Sequence, residues 1–188
     1  MEPVFIISII LIALPVIYIT ATYNTLVSLK NHIKEAWSNI DTELKRRYDL
    51  IPNLVSIVKG YAAHEKNVLE RVTQLRNQCM ENNGSTASQE SDETQLVGAV
   101  KEMLAVIENY PDLKADQHFL KLQKELVNTE DRIQAARRFF NGNVRDYKNK
   151  CETFPSVLIA NMFGFESQDF FNVEPAVRNT PNLKKELG

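Results

Sequence analysis

The residues that could do chemistry are few, and their spacing mostly argues against it. His64-Glu65 opens like the zincin motif HExxH, but Val68 stands where the second imidazole must be, so two metal-binding histidines never share adjacent turns. His32 and His118 fit no ligand spacing and read as surface residues. The chain carries no GxGxxG or GxxxxGK[ST] phosphate loop, no GxSxG elbow and no ExxH repeats. Cys79 and Cys151 are too far apart for a CxxC or zinc-knuckle pattern, and no metal or cofactor is expected. Adjacent carboxylates such as Glu130 and Asp131 point to different sides of a helix and read as solvated surface.

One polar cluster stands out, Lys45-Arg46-Arg47-Tyr48-Asp49. It suits contact with an anion or a protein partner. The plainer reading, and the preferred one, is pairing with acids on a neighbouring helix, such as Asp131. A sharper alternative gathers Asp41, Arg46, Arg47, Asp131, Arg137 and Arg138 into a charged site at the core of a helical bundle, serving a ligand sensor or an enzyme. A lipid-headgroup role is disfavoured, because about 15 helical residues, roughly 20 Å, separate the cluster from the apolar N-terminal run. The candidate interaction residues are therefore Lys45, Arg46, Arg47, Arg137 and Arg138, with Phe163, Phe165, Phe170 and Phe171 of an aromatic tail. Ser38, Asn39 and Asn53 sit beside an apolar stripe and are expected as buried, register-setting polar groups. Trp37, the one tryptophan, is expected in the core.

The elements that must position these residues begin with a membrane anchor. Every charged side chain except Glu2 lies beyond Leu29. Residues 4–19 (VFIISIILIALPVIYI) are apolar but for Ser8 and Pro15, and about 20 residues cross a bilayer core of about 30 Å. A cleavable signal peptide needs a positive start, which is missing here, so a retained span over residues 1–22 is the better reading. Lys30, Lys34, Lys45, Arg46 and Arg47 all follow the span and no Lys or Arg precedes it. The positive-inside rule then places a short N-terminus outside and the larger part of the chain in the cytoplasm.

Residues 23–164 read as an all-α antiparallel bundle of three to four long helices. The first stripe runs through Leu26, Leu29, Ile33, Trp37, Ile40, Leu44, Tyr48, Ile51, Val55 and Val58, with Pro52 expected to kink or restart the helix near Ile51. A second stripe runs from Leu54 through Tyr61, Glu65 and Val72 to Cys79, which makes Cys79 a small core residue. Residues 81–92 (ENNGSTASQESD) hold no large apolar residue and are expected as a loop, with Ser91 capping the next helix and Asp92 and Glu93 in its first turn. That helix carries Leu96, Val100, Met103 and Ile107 and stops before Pro111. The last long helix starts near residues 114–116 and carries Phe119, Leu126, Ile133, Phe140, Val144, Tyr147 and Cys151, with Gly142 placed for a close backbone approach. Residues 165–188 are expected as an irregular tail. The Phe-rich segment from Phe154 onward must fold back over one end of the bundle or present an apolar patch. The net charge of −2 argues against a nucleic-acid binder.

Residues 23–65 and 110–165 carry long specific blocks: AWSNID, KRRYDLIPNLV, ELVNTEDRI and AARRFFN. In these the chain resembles the LemA family. Phe140, where that family often has Tyr, and Cys151, where an aliphatic is usual, are small departures that both suit a core position. The resemblance implies a bacterial inner- or plasma-membrane protein with a short external N-terminus, a cytoplasmic helical bundle and no established enzymatic activity. It also implies a protein partner, since family members are often encoded beside a membrane zinc metalloprotease or other envelope proteins. A divergent branch helps build magnetosome membranes, and no residue here carries that role over. Two functions of different class follow: a tethered, non-enzymatic scaffold or adaptor, which is preferred, and the charged-core sensor or enzyme. Self-association through the bundle and apolar tail is a third expectation.

Overall fold

The computed structural model describes residues 3–171, and every regular element among them is helical: α1 (Pro3–Tyr61), α2 (Lys66–Glu81), α3 (Thr86–Ile107), α4 (Pro111–Lys114), α5 (Gln117–Glu152) and α6 (Ser156–Met162). The expected all-α bundle with an apolar N-terminal helix is what forms. α1 has 59 residues, about 88 Å of continuous rod. Its large apolar residues between Ile7 and Ile17 stand exposed, and the first buried residues are Thr22 and Leu26. Among the described residues, α1 is the one helix long and apolar enough to cross a membrane by length and composition.

α5 runs antiparallel along the second half of α1, because both carry one apolar stripe that must be covered. The register is constant. Trp37 meets Phe140, and ten residues further along α1 Arg47 meets Glu130, ten residues back along α5. At the far end the Tyr61 hydroxyl donates to Asp116, whose other oxygen caps α5 by accepting from the amides of His118 and Phe119. α2 and α3 form a hairpin that closes on α1, burying Leu69, Val72, Leu75 and Cys79 with Leu96, Ala99, Val100, Met103 and Ile107. Phe140 and Cys151 both lie in the core.

Several expectations need correction. Pro52 neither ends nor restarts α1. A proline at that position removes the amide that would bond the Tyr48 carbonyl one turn earlier. Arg76 of α2 replaces it, its Nε donating to the Tyr48 carbonyl at 2.6 Å. The chain instead turns at residues 62–65, after Gly60 has weakened the last turn of α1 and where the small, fully buried Ala62 lets α2 fold back closely. The stripe expected to run unbroken from Leu54 to Cys79 is therefore split, and Tyr61 is exposed.

The expected loop at residues 81–92 shrinks to residues 82–85. The cap is Ser85, whose side chain accepts from the Ser88 amide, not Ser91. Asn82 bridges the turn, accepting from the Gly84 amide and donating to Ser88 and Asp92. Ser38, Asn39 and Asn53 lie on the exposed side of α1 and set no buried register. Gly142 gives no close approach, since a Cβ there would meet nothing within 4 Å. Of the expected tail, residues 165–171 are irregular, and the prolines at 175 and 181 lie outside the described residues.

Candidate functional site

The cationic triplet splits by helix geometry. Lys45 and Arg46 lie on the exposed face of α1, while Arg47 falls on the apolar stripe between Leu44 and Ile51 and is 2% exposed. A guanidinium so far from water needs carboxylates, and two helices supply them. Arg47 Nη1 bonds Glu130 of α5 at 2.9 Å, and Nη2 is paired with Glu93 of α3. Glu93, also 2% exposed, accepts the Tyr48 hydroxyl on its other oxygen. One cation thus joins α1, α3 and α5. Arg47 Nε has no hydrogen-bond partner.

The neighbouring charges do not converge. Asp41, Arg46, Asp131 and Arg138 are exposed and the half-buried Arg137 lies over the Phe171 ring, so the charged core site gathered from the sequence leaves Arg47 with two acids that were expected elsewhere. The acid facing Arg47 on α5 is Glu130 rather than Asp131. Glu130 is not solvated surface, and Asp92 and Glu93 are buried rather than displayed in a first helical turn. Asp92 holds the hairpin together, accepting from Gln78 at 2.7 Å and Asn82 at 2.6 Å. Among the described residues no group of three or more His, Cys, Asp or Glu is placed to hold a metal ion.

Beside the network a polar cleft of about 390 Å³ opens between α1 and the hairpin, lined among others by Lys34, Asp41, Tyr48 and Cys79. Burial pushes the Cys79 thiol up to about 11, against the opposing pull of Arg47. At neutral pH this thiol is protonated and a poor nucleophile. Burial likewise raises the Tyr48 phenol well above its ordinary value. The thiol and the phenol of this cleft are both held in their neutral forms.

A second constellation, which the sequence did not bring together, lies on α5 nearer the apolar start of α1. Phe171 is fully buried, with its ring edge-on to Trp37 at 5.5 Å and under the Arg137 guanidinium at 4.6 Å. Trp37 also meets Phe140 edge-on at 5.4 Å. The Asn141 side chain clamps the Phe171 backbone twice, donating to its carbonyl at 2.7 Å and accepting from its amide at 2.8 Å. The tail is thus an extended strap. Phe163 and Phe165 pack on Tyr23 at its start and Phe171 on Trp37 at its end. Six extended residues and fourteen helical ones both span roughly 20 Å. Phe163 and Phe170 remain partly exposed, so the aromatic set is divided between packing and solvent.

The sequence reading missed Glu93, Arg76 and Asn141. A signal existed for the first two. Glu93 lies three residues before Leu96 in a run of stripe positions, and Pro52 announces a carbonyl in need of a donor. For Asn141 no local pattern reveals its partner, thirty residues on.

Comparison with known proteins places these features in a family. A model described as LemA family matches residues 36–184, a stretch that includes Trp37, Arg47, Glu93, Glu130 and Asn141. Magnetosome protein MamQ 2 of Paramagnetospirillum magneticum is 25% identical over 193 residues, covering 88% of this chain and 71% of its own. Magnetosome protein MamQ of Magnetospirillum gryphiswaldense is 24% identical with the same coverage. Protein LemA of Metamycoplasma hominis is 27% identical over 150 residues, covering 80% of this chain and 66% of its own. With most of its length matched by the family model, and the quoted blocks meeting across α1 and α5, the chain belongs to the LemA family.

Proposed function

We propose that this protein is a membrane-anchored helical scaffold, non-enzymatic, whose bundle presents a rigid surface to a protein partner of the bacterial cell envelope. The observation that carries the reading is the continuity of α1. Anchor and bundle share one uninterrupted helix from Pro3 to Tyr61. A hinge-free rod fixes the bundle relative to the bilayer, which suits holding a partner and gives no advantage to a freely diffusing catalyst. The lysines after the span, Lys30 and Lys34, support a cytoplasmic bundle in the inner or plasma membrane with the N-terminus outside. A membrane metalloprotease or another envelope protein is the partner class to examine first.

The charged-core sensor or enzyme is the weaker reading, because Arg47 is paired with two carboxylates of its own bundle, Arg137 lies over the Phe171 ring, and Asp41, Arg46, Asp131 and Arg138 face solvent. The test is co-purification of the tagged full chain, extracted from membranes at native expression. A specific envelope protein retained by the wild type, and lost when a flexible Gly-Ser segment is inserted after Thr22 in a bundle that still folds, supports the scaffold. Background proteins alone would overturn it.

A further inference from the structure

Among the described residues, one apolar face outside α1 stays uncovered, and it lies at the end of the bundle nearest the anchor. α6 buries Ile159 and Ala160 against the bundle and leaves Leu158 and Met162 each 62% exposed. Phe154, four residues before Leu158, is 77% exposed, and Phe163 continues the patch. Burial on one side and exposure on the other give this short segment two mainly apolar faces, with Asn161 the exposed polar residue of α6 and Ser156 the buried one. An outer face turned to water would be mainly polar.

Its position says what covers it. Phe163 packs edge-on against Tyr23 at 4.9 Å and Phe165 does so at 5.5 Å, so α6 sits level with the first buried turn of α1. About 20 residues of α1 counted from Pro3 span the hydrocarbon core and end beside Tyr23, at headgroup depth. The patch is thus continuous with the exposed apolar surface of α1 between Ile7 and Tyr18. A second copy of the chain fits less well. Four part-exposed side chains fall short of the roughly 800 Å² per partner that a stable interface buries.

We infer that α6, with Phe154 and Phe163, is an interfacial foot that inserts at the acyl–headgroup boundary of the leaflet facing the bundle. The occupant of this face is the lipid bilayer. The foot gives the rod a second point of attachment beside the first, so the bundle can neither roll about the α1 axis nor tilt freely. The inference rests on α1 spanning the membrane and holds for either orientation.

The test uses the full chain reconstituted in phosphatidylethanolamine–phosphatidylglycerol vesicles whose acyl chains carry bromine, which quenches tryptophan on contact. Three variants each add one tryptophan to Trp37: Leu158→Trp in the foot, Leu11→Trp in the span, and Val127→Trp on the exposed face of α5, far from the anchor. After subtraction of the wild-type signal, the added emission of Leu158→Trp is expected to fall about two-fold or more, and that of Val127→Trp not at all. Met162→Trp repeats the measurement in case Leu158→Trp disturbs the fold, with helical content checked by circular dichroism for each. If Leu11→Trp is quenched while both foot variants behave like Val127→Trp, the foot is overturned and the anchor stands. If Leu11→Trp escapes quenching, the anchor itself fails. Iodide separates the remaining occupants. Foot tryptophans open to iodide are in water, and foot tryptophans shielded from both iodide and bromine are covered by protein; either result overturns the inference.

Discussion

Glu93→Ala should be the costliest single charge deletion in the bundle. The substitution leaves Arg47, 2% exposed, with one carboxylate instead of two and strips the Tyr48 hydroxyl of its acceptor. Breaking a buried pair from one side costs about 3–5 kcal/mol, because the remaining charge stays desolvated and uncompensated. Glu130→Ala should cost less, about 1–2 kcal/mol, since that carboxylate is 32% exposed and water can replace it. For a bundle of this size each kcal/mol moves the midpoint by about 2–4 °C, so Glu93→Ala is expected about 6–20 °C below the wild type. Replacing the whole pair by apolar groups, Arg47→Met with Glu93→Leu, should recover most of the loss. The assay is thermal and urea unfolding of the full chain in detergent, followed by circular dichroism at pH 7. If Glu93→Ala proved no more destabilising than Glu130→Ala, or the apolar pair were worse than either single variant, the desolvation argument would be wrong.

Three further outcomes follow from the same contacts. Arg76→Ala should cost about 1–2 kcal/mol in the wild type but close to nothing in a Pro52→Ala background, where position 52 regains its own amide; a double-mutant cycle in urea showing no coupling would remove Arg76 from that role. Asn141→Ala should loosen the strap, red-shifting Trp37 emission and opening residues 166–170 to protease while the bundle melts nearly as before. Alkali should destabilise the bundle in a defined window. Cys79 has a folded pKa of about 11, above its unfolded value, so the folded state holds a proton that the unfolded chain gives up; stability is whole below about pH 9 and falls as pH rises through 11. Cys79→Ala should flatten that slope in a pH series of urea midpoints.

Much of this architecture was legible in the sequence because periodicity reports burial. Leu26, Ile33, Ile40, Leu44 and Ile51 recur at helical spacing and all are buried, and the charge-free start of α1 forms a helix long and apolar enough to cross a membrane. The errors came where a local rule met a distant compensation. Pro52 breaks helices only when nothing replaces its amide, and Arg76 does so from another helix. Asp92 and Glu93 read as exposed because acids usually are, yet Glu93 keeps stripe spacing with Leu96 and Val100, as Arg47 does with Leu44 and Ile51 and Glu130 with Leu126 and Ile133. A charge on an apolar stripe is the signature of a buried pair, visible on each helix alone. Which acid pairs with which base is a tertiary fact that requires the register. The clamp on Phe171 was not legible at all, since Asn141 and the tail meet only after the chain has turned back beyond the end of α5.

Register also explains why a buried ion pair persists where apolar side chains would serve stability as well. The stripes of α1 and α5 are long and repetitive, so sliding one helix by a turn, about 5.4 Å, still buries apolar against apolar. The Arg47–Glu130 contact breaks that near-degeneracy, because a slipped register takes one of two carboxylates from a guanidinium that is 2% exposed and costs about 1–2 kcal/mol. The charges should therefore contribute specificity more than stability. In a variant with Arg47→Met, Glu93→Leu and Glu130→Leu, spin labels at the exposed positions Lys45 and Arg138 should report a broadened distance distribution, or a second population displaced by about 5 Å, although the melting temperature is retained. The wild type should give a single narrow peak. If the charge-free variant kept that same peak, the apolar contacts, Trp37 on Phe140 and the Phe171 strap among them, would be sufficient to set the register by themselves.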